Sequence, residues 1–259
     1  MVNNNYLLGK LKQNKPCIGT WSIIPSLVTI DIIASTGIDF IIIDREHGPF
    51  SFETAQGLAI ACESRGVSPI FRVGDIDKAS IQNALDIGMH GIQVPNIETN
   101  SDAKKVVLHS KYPPIGDRGF SPFTRSGGYS IKNASSIIKN ANDNNLVILN
   151  IEGEEAISSF DSILEIDNID VYFVGLFDLS KALGIPGDVE NPRVIEKLEE
   201  ITAKAKALNK HVGTIATNKS SLDKFVKMGL TYLVYLVDCE IIRNSYQDII
   251  THFNSLKNV

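Results

Sequence analysis

The sequence predicts an α/β protein of the (β/α)8 TIM-barrel class, folded as one domain over residues 1–259. Three observations lead there. The chain has 259 residues, close to the roughly 250 typical of one such barrel. Short apolar runs alternate with longer amphipathic stretches from end to end, which is the cadence of repeated strand–helix units. The run Phe40-Ile41-Ile42-Ile43 shows no polar alternation, as expected of a parallel strand covered on both faces.

In order along the chain, strands are expected at 17–21, 40–44, 68–73, 91–95, 146–152, 171–175, 212–215 and 232–237. Each is a short apolar run of strand length. Helical patterns lie between most of them, for example at 26–35, 52–64, 79–87 and 191–208. Eight strands with interleaved helices favour a closed barrel over an open doubly wound sheet. One connection breaks the rhythm. Residues 111–129 (KYPPIGDRGFSPFTRSGGY) are rich in Pro, Gly and Arg, and a connection this long inside a compact domain is usually functional. No low-complexity linker marks a domain boundary.

Composition narrows the partners. Hydrophobic content of 43% and charged content of 21% suit a globular protein with a sizeable core. A net charge of −5 without any basic tract argues against nucleic-acid binding. The start, Met1-Val2-Asn3-Asn4-Asn5, leads into a polar, lysine-bearing stretch with no signal-like apolar run. No apolar run approaches the roughly 20 residues of a membrane helix. Cys17, Cys62 and Cys239 are odd in number, widely spaced and set among apolar residues, so they read as reduced packing residues. A soluble cytoplasmic protein with no membrane partner is expected.

In a barrel of this class, polar residues at the C-terminal ends of the strands face the active site. That rule selects Asp44, Glu46 and His47 after the second strand, Arg72 closing the third, Glu152 ending the fifth and Asp178 after the sixth. Glu152 and Asp178 are natural ligands for a hard divalent cation, because magnesium takes one or two carboxylates and leaves its other positions to water and substrate. With no cysteine beside them, magnesium or manganese fits better than structural zinc. Each acid also has a simpler reading: Glu152 caps the helix starting near Glu154, and Asp178 caps the turn at Leu179-Ser180. Histidine titrates near neutral pH, so His47 fits a general base, oriented by Asp44 or by Asp86 in the helix after the third strand. The alternative is that it packs in the loop before Gly48-Pro49. His90, His109, His211 and His252 have settings that give no functional reading. Arg72, in a strand buried on both faces, requires an anionic partner. Either a carboxylate ligand or an internal acid would satisfy it.

With these candidates placed, the chain resembles the HpcH/HpaI family of class II pyruvate aldolases over nearly its whole length. The resemblance rests on Asp44-Arg45-Glu46-His47-Gly48, Phe71-Arg72-Val73, Leu85-Asp86-Ile87-Gly88 and Gly91-Ile92-Gln93-Val94-Pro95. It continues through residues 112–119 (YPPIGDRG), Ile151-Glu152, Gly175-Leu176-Phe177-Asp178-Leu179-Ser180 and Leu183-Gly184-Ile185-Pro186-Gly187. It implies that Glu152 and Asp178 bind a divalent metal, magnesium or manganese, with cobalt a further candidate. It implies that His47 is the general base, that Arg72 stabilises the enolate and binds the 2-oxo acid, and that Asp86 raises the basicity of the histidine with Asp44 a second acid near it. Backbone groups around Phe177-Asp178 would contact the pyruvate carboxylate. A homo-oligomer, a hexamer with exchanged C-terminal helices, is also implied.

The implied reaction joins or separates a 2-oxo acid and an aldehyde. It needs no lysine Schiff base, and no expected strand carries a lysine in its core. Three departures from the family pattern stand out. Asn150 stands for glutamine and would make a shorter contact to substrate or a metal-bound water. Arg45 replaces a small residue, and Leu176-Phe177 replaces proline and a small residue, putting a phenylalanine where it could reshape the pyruvate pocket. Specificity for the aldehyde is expected in the 111–129 connection and in residues of a neighbouring subunit. The competing readings are a CoA-thioester lyase of the citrate lyase β-chain or malyl-CoA lyase type, and an inactive barrel serving as a binding protein.

Overall fold

The computed structural model describes residues 5–257. Its strands are β1 (Cys17–Ser22), β2 (Phe40–Asp44), β3 (Ser68–Arg72), β4 (Gly91–Val94), β5 (Leu146–Ile151), β6 (Val171–Val174), β7 (His211–Ala216) and β8 (Tyr232–Val237). They pair in parallel in sequence order, and β8 returns to β1 to close an eight-stranded barrel. The expected strands therefore all form, with ends shifted by at most a residue. Helices α1 (Tyr6–Leu11), α2 (Leu27–Ala34), α3 (Phe52–Ser64), α4 (Lys78–Asp86) and α5 (Asn100–Ser110) belong to the first half. The second half carries α6 (Ala134–Asn144), α7 (Glu154–Ser158), α8 (Phe160–Leu164), α9 (Leu176–Ala182), α10 (Pro192–Ala207), α11 (Lys219–Met228) and α12 (Asp238–Leu256). Among the described residues no helix is long and apolar enough to cross a membrane.

Alternation along each strand splits the core in two. On β2, Ile41 and Ile43 join the layer between strands and helices, whereas Phe40 and Ile42 point into the barrel with Trp21, Ile70, Ile148, Phe173 and Tyr232. Both sides are apolar, which is why 40–43 lacks polar alternation. Two large rings cross the interior: Phe40 stacks on Tyr232 with centroids 4.2 Å apart. Two glycines leave the space. A Cβ on Gly19 would fall 2.2 Å from the Phe40 ring, and one on Gly213 would fall 2.6 Å from the Tyr232 ring. At the other end of the barrel the closing seam is pinned by Asp238, the first residue of α12. Its carboxylate accepts from the Ser22 hydroxyl at 2.6 Å and from the backbone N–H of Ile23 and Ile24 at 3.2 Å.

The 111–129 connection lies elsewhere than expected. A helix that follows a parallel strand runs back toward the N-terminal end of the barrel, so α5 delivers the connection there. Lys111 Nζ donates to the carbonyls of Asn142 and Asn145, just ahead of β5. Arg125 pairs with Glu63 in the last turn of α3, and Ser126 N–H donates to the Asp86 carbonyl at the end of α4. In its own chain this segment packs against the starts of the strands, opposite the predicted site. On α12, Ile242, Tyr246, Ile249, Phe253 and Leu256 are exposed at helical spacing, an apolar stripe that solvent alone covers poorly.

Cys17 and Cys62 are buried, as the sequence predicts, while Cys239 is half-buried. Burial pushes both buried thiols up to about 12, so neither forms thiolate at ordinary pH. Iodoacetamide at about pH 8 is therefore expected to label Cys239 alone in the native protein, with Cys17 and Cys62 labelling only after denaturation. Mass spectrometry of the alkylated chain checks this, and equal native labelling of all three would contradict the packing. Gly213→Ala is expected to destabilise by about 1–3 kcal/mol, the usual effect of overpacking, measured by urea unfolding.

Candidate active site

At the C-terminal end of the barrel, a cavity of about 500 Å³ is lined by Glu46, His47, Arg72, Asn96, Glu152, Asp178 and Lys181, among others. Five of the sequence-selected residues, Glu46, His47, Arg72, Glu152 and Asp178, thus meet in one place. The strand register explains how. Asp44 on β2 lies directly beside Arg72 on β3, and the two form a forked pair, Nε to Oδ1 at 2.8 Å and Nη2 to Oδ2 at 2.6 Å. Glu46 Oε2 lies 2.7 Å from Arg72 Nη1, an ion contact without directed hydrogen-bond geometry. The Arg72 guanidinium also sits over the Trp21 ring, 5.0 Å from its centroid. Burial opposes its charge, yet the hydrogen bonds and charge of Asp44, with Glu46 behind them, raise its pKa. The internal acid partner holds, and Arg72 also lines the cavity.

Asp44 does not orient the imidazole. Its Oδ1 accepts from the backbone N–H of Glu46 at 3.0 Å and of His47 at 3.4 Å, so it shapes the turn that carries both. The turn is tight: a Cβ on Gly48 would lie 2.2 Å from the Asp44 carbonyl oxygen. His47 is exposed on the cavity. Asp86 is not brought to it either. It ends α4, five residues before β4 begins, hence at the N-terminal end of the barrel. There it accepts from Arg118 Nη2 at 2.6 Å. Within one chain the helix direction separates Asp86 from the histidine it was expected to tune.

Glu152 and Asp178 converge. Neither is a helix cap: Gly153 holds that position on α7 and Gly175 on α9. A Cβ on Gly175 would fall 3.1 Å from Glu152 Oε2 and 3.7 Å from Asp178 Oδ2, so one oxygen of each carboxylate borders the same small space beside this glycine, and a side chain there would crowd Glu152. Glu152 Oε1 accepts from the Asn96 N–H at 3.1 Å and Oε2 from Asn150 Nδ2 at 3.2 Å. Burial raises the Glu152 pKa, and the neighbouring charges of Asp178 and Glu46 add to it. Glu46 is likewise raised, first by burial. Among the described residues no group of three or more His, Cys, Asp or Glu is set to hold a metal. Two converging carboxylates with open positions nonetheless match the donor set of a hard divalent cation that keeps water and substrate as further ligands.

The departures sort differently from expectation. Asn150 is buried below Glu152 and contacts it directly. The Phe177 side chain is 50% exposed and does not line the cavity, so it stands at the rim and leaves the pocket wall to its neighbours. α9 starts at Leu176, which turns position 177 outward while Asp178 faces in. Arg45 lies over the Phe52 ring at 4.4 Å and near Ser80, outside the cavity lining. Asn96 and Lys181 join the lining without having been expected there, and Glu46, selected as a strand-end acid, had no specific role attached. Asn96 carried a legible signal: it follows Pro95 at a strand end and has φ +59, a conformation asparagine tolerates.

Comparison with known proteins bears on this geometry. The family model HpcH/HpaI aldolase/citrate lyase matches residues 18–244. A 4-hydroxy-2-oxo-heptane-1,7-dioate aldolase from Salmonella dublin is 28% identical over 250 residues, covering 96% of this chain and 94% of that protein. An HpcH/HpaI aldolase structure from Desulfitobacterium hafniense DCB-2 superposes with a TM-score of 0.91 at 27% identity, covering 96% of each chain. The structure of the citrate synthase SbnG superposes with a TM-score of 0.89 at 26% identity, over 99% of this chain and 100% of that one.

Two outcomes are expected from the geometry. Gly175→Ala should crowd Glu152, shift its carboxylate and weaken Mn2+ binding by about tenfold, read by calorimetry on the chelator-treated protein. Unchanged affinity would mean that the Glu152 carboxylate beside Gly175 takes no part in binding the ion. Asp44→Ala leaves a mostly buried guanidinium without its forked partner, and unfolding in urea should show a loss of about 3–5 kcal/mol.

Proposed function

The chain belongs to the HpcH/HpaI aldolase/citrate lyase family, and from that premise we propose a class II aldolase that cleaves or forms 4-hydroxy-2-oxo acids through the enolate of pyruvate. Membership of this family makes it an enzyme of the carbon–carbon lyase kind acting on small molecules. The observation that carries the finer reading is the convergence of Glu152 and Asp178 over Gly175 in the cavity that also holds Arg72 and His47. Class II aldolases need a divalent metal, and magnesium or manganese, with cobalt as a further candidate, suits these two carboxylates. Bound there, the cation would supply Lewis-acid polarisation of the 2-oxo group.

The remaining roles fall to this chain's side chains. In the cleavage direction His47 accepts the proton of the 4-hydroxyl. The electron pair left on that oxygen forms the aldehyde carbonyl as the bond between carbons 3 and 4 breaks. The pair from that bond passes into the 2-oxo group, giving the enolate of pyruvate, and a proton returned to carbon 3 completes the product. Arg72, held ready by Asp44 and Glu46, faces the developing enolate charge without having to reorganise. Backbone at Phe177-Asp178, where α9 begins, would receive the substrate carboxylate, with Asn150 supporting from below. Asp86 could act on His47 only from a second copy of the chain. The exposed stripe on α12 supports such a homo-oligomer, a hexamer if it assembles as the family resemblance implies, built from single-domain chains.

The test is pyruvate release, coupled to a pyruvate-consuming indicator enzyme, over a panel of 4-hydroxy-2-oxo acids, with chelator and with metal restored. Release from at least one free acid, abolished by chelator, is expected; a CoA thioester arm is expected to stay silent. Metal-dependent cleavage confined to the thioesters would move the chain to the CoA-thioester lyase reading. No turnover in either arm, in either direction, would leave the reading without support. Glu152→Ala and Arg72→Lys should each lower kcat by about 10²-fold or more while circular dichroism shows an intact fold.

A further inference from the structure

We propose that Gln93 and Tyr232 are positioning residues for the cation site, acting on Glu152 through Asn150 along a one-way chain of hydrogen bonds inside the barrel. The inference rests on the reading of Glu152 as a metal ligand. The chain begins at Tyr232, whose hydroxyl crosses the interior from β8 to β4 and donates to Gln93 Oε1 at 3.2 Å. Gln93 Nε2 donates to Asn150 Oδ1 at 2.8 Å. Asn150 Nδ2 donates to Glu152 Oε2 at 3.2 Å.

The direction of this chain is set by its end. An ionised carboxylate only accepts, so Asn150 must present its amide NH2 to Glu152 and its oxygen to Gln93. Gln93 must then present its own NH2 to Asn150 and its oxygen to Tyr232, leaving the phenol as donor. Each amide would otherwise be free to flip. Tyr232 and Gln93 are fully buried and Asn150 is 1% exposed. Around them the interior is apolar, with Ile42, Ile70, Ile148 and Phe173, so an amide deprived of its partner would find no substitute and would turn or shift. Strand register makes the reach possible. Gln93 on β4 lies beside Ile148 on β5, one inward-facing step below Asn150.

The chain of donors controls one particular oxygen. Glu152 Oε1 is already held by the Asn96 N–H. Oε2, held by Asn150, is the oxygen that borders the space beside Gly175, as Asp178 Oδ2 also does. Outer partners of this kind set the direction of a ligand's lone pairs, and their loss weakens metal binding while the ligands themselves stay in place. In this chain the shorter Asn150, which stands where the resemblance expects glutamine, reaches Glu152 and depends on Gln93 to keep its orientation.

The test uses chelator-treated full-length protein and Mn2+ as the probe, followed by calorimetry and by the electron paramagnetic resonance spectrum of the bound ion. Gln93→Met removes both amide functions at similar volume and is expected to weaken Mn2+ binding by about 10–100-fold and to change the spectrum. Tyr232→Phe, one link further away, should weaken it in the same direction by less than about tenfold. Ile42→Val, an apolar change in the same interior, should leave affinity and spectrum as in the wild type. Wild-type affinity and spectrum in both polar variants would overturn the proposal. So would an equal loss in Ile42→Val, which would mark general softening of the barrel. Should Gln93→Met not fold, Tyr232→Phe decides alone. A wild-type protein that binds no Mn2+ would sink the metal-ligand reading and this inference with it; binding that is normal in the variants sinks only the inference.

Discussion

A guanidinium in a barrel strand cannot be left alone, and much of the site depends on that. Arg72 is the last residue of β3, where desolvating an unpaired charge would be prohibitive. The in-register neighbour on β2 is Asp44, and the forked pair between them fixes both side chains. Asp44 has lone pairs left, and they accept from the backbone N–H groups of Glu46 and His47. The turn that presents the candidate base is therefore anchored to the group that would face the enolate. Pairing also holds Arg72 charged against the effect of burial, the state in which it can stabilise an anion. One electrostatic requirement thus settles the shape of the β2 turn, the charge of the arginine and the distance between base and arginine.

The need to satisfy buried polar groups also explains how the barrel tolerates them beneath its mouth. Ring packing of Phe40 on Tyr232, made possible by Gly19 and Gly213, fills the lower interior and leaves the Tyr232 hydroxyl pointing across it. Gln93 and Asn150 complete the run upward to Glu152, and each named hydrogen bond satisfies a group that would be costly if stranded. Packing below and chemistry above are continuous. Interior polar residues are here an extension of the site into the core.

Legibility in the sequence varies with how local the cause is. Strand positions are readable because burial on both faces leaves uninterrupted apolar runs, as in Phe40–Ile43, and the closed order of eight strands agrees with their number and spacing. Arg72, Glu152 and Asp178 are readable as strand-end polar groups. The alternative caps for the two acids fail because Gly153 and Gly175 begin the helices themselves, something residue type alone does not decide. Asp86 and the 111–129 connection fall away from the expected site because sequence proximity to a strand says less than helix direction: α4 and α5 carry the chain back to the far end of the barrel. Phe177 looks like an intruder in the pocket, but helical phase turns it to the rim. The relay through Gln93 cannot be read from the sequence at all, since it joins β8 to β4 across the interior and has no sequence period.

Charge in the cavity is out of balance. Asp44, Glu46, Glu152 and Asp178 gather around Arg72, with Lys181 the other cationic side chain of the lining, and Asp44 and Glu46 already engage the arginine. Glu152 and Asp178 are left to repel each other across Gly175, and the raised pKa of Glu152 records burial first and that repulsion after it. Such an arrangement costs folding stability if nothing compensates it. Proteins keep a cost of this kind where function requires it. A small, doubly positive ion content with oxygen donors is a charge that would compensate Glu152 and Asp178, and the reading proposed above places it between these two carboxylates. Proton uptake would relieve the repulsion too, but a protonated carboxyl is a poor ligand for a cation. A relay in which the tyrosine and both amides donate toward Glu152 suits an ionised carboxylate, the state in which a metal ligand must be held.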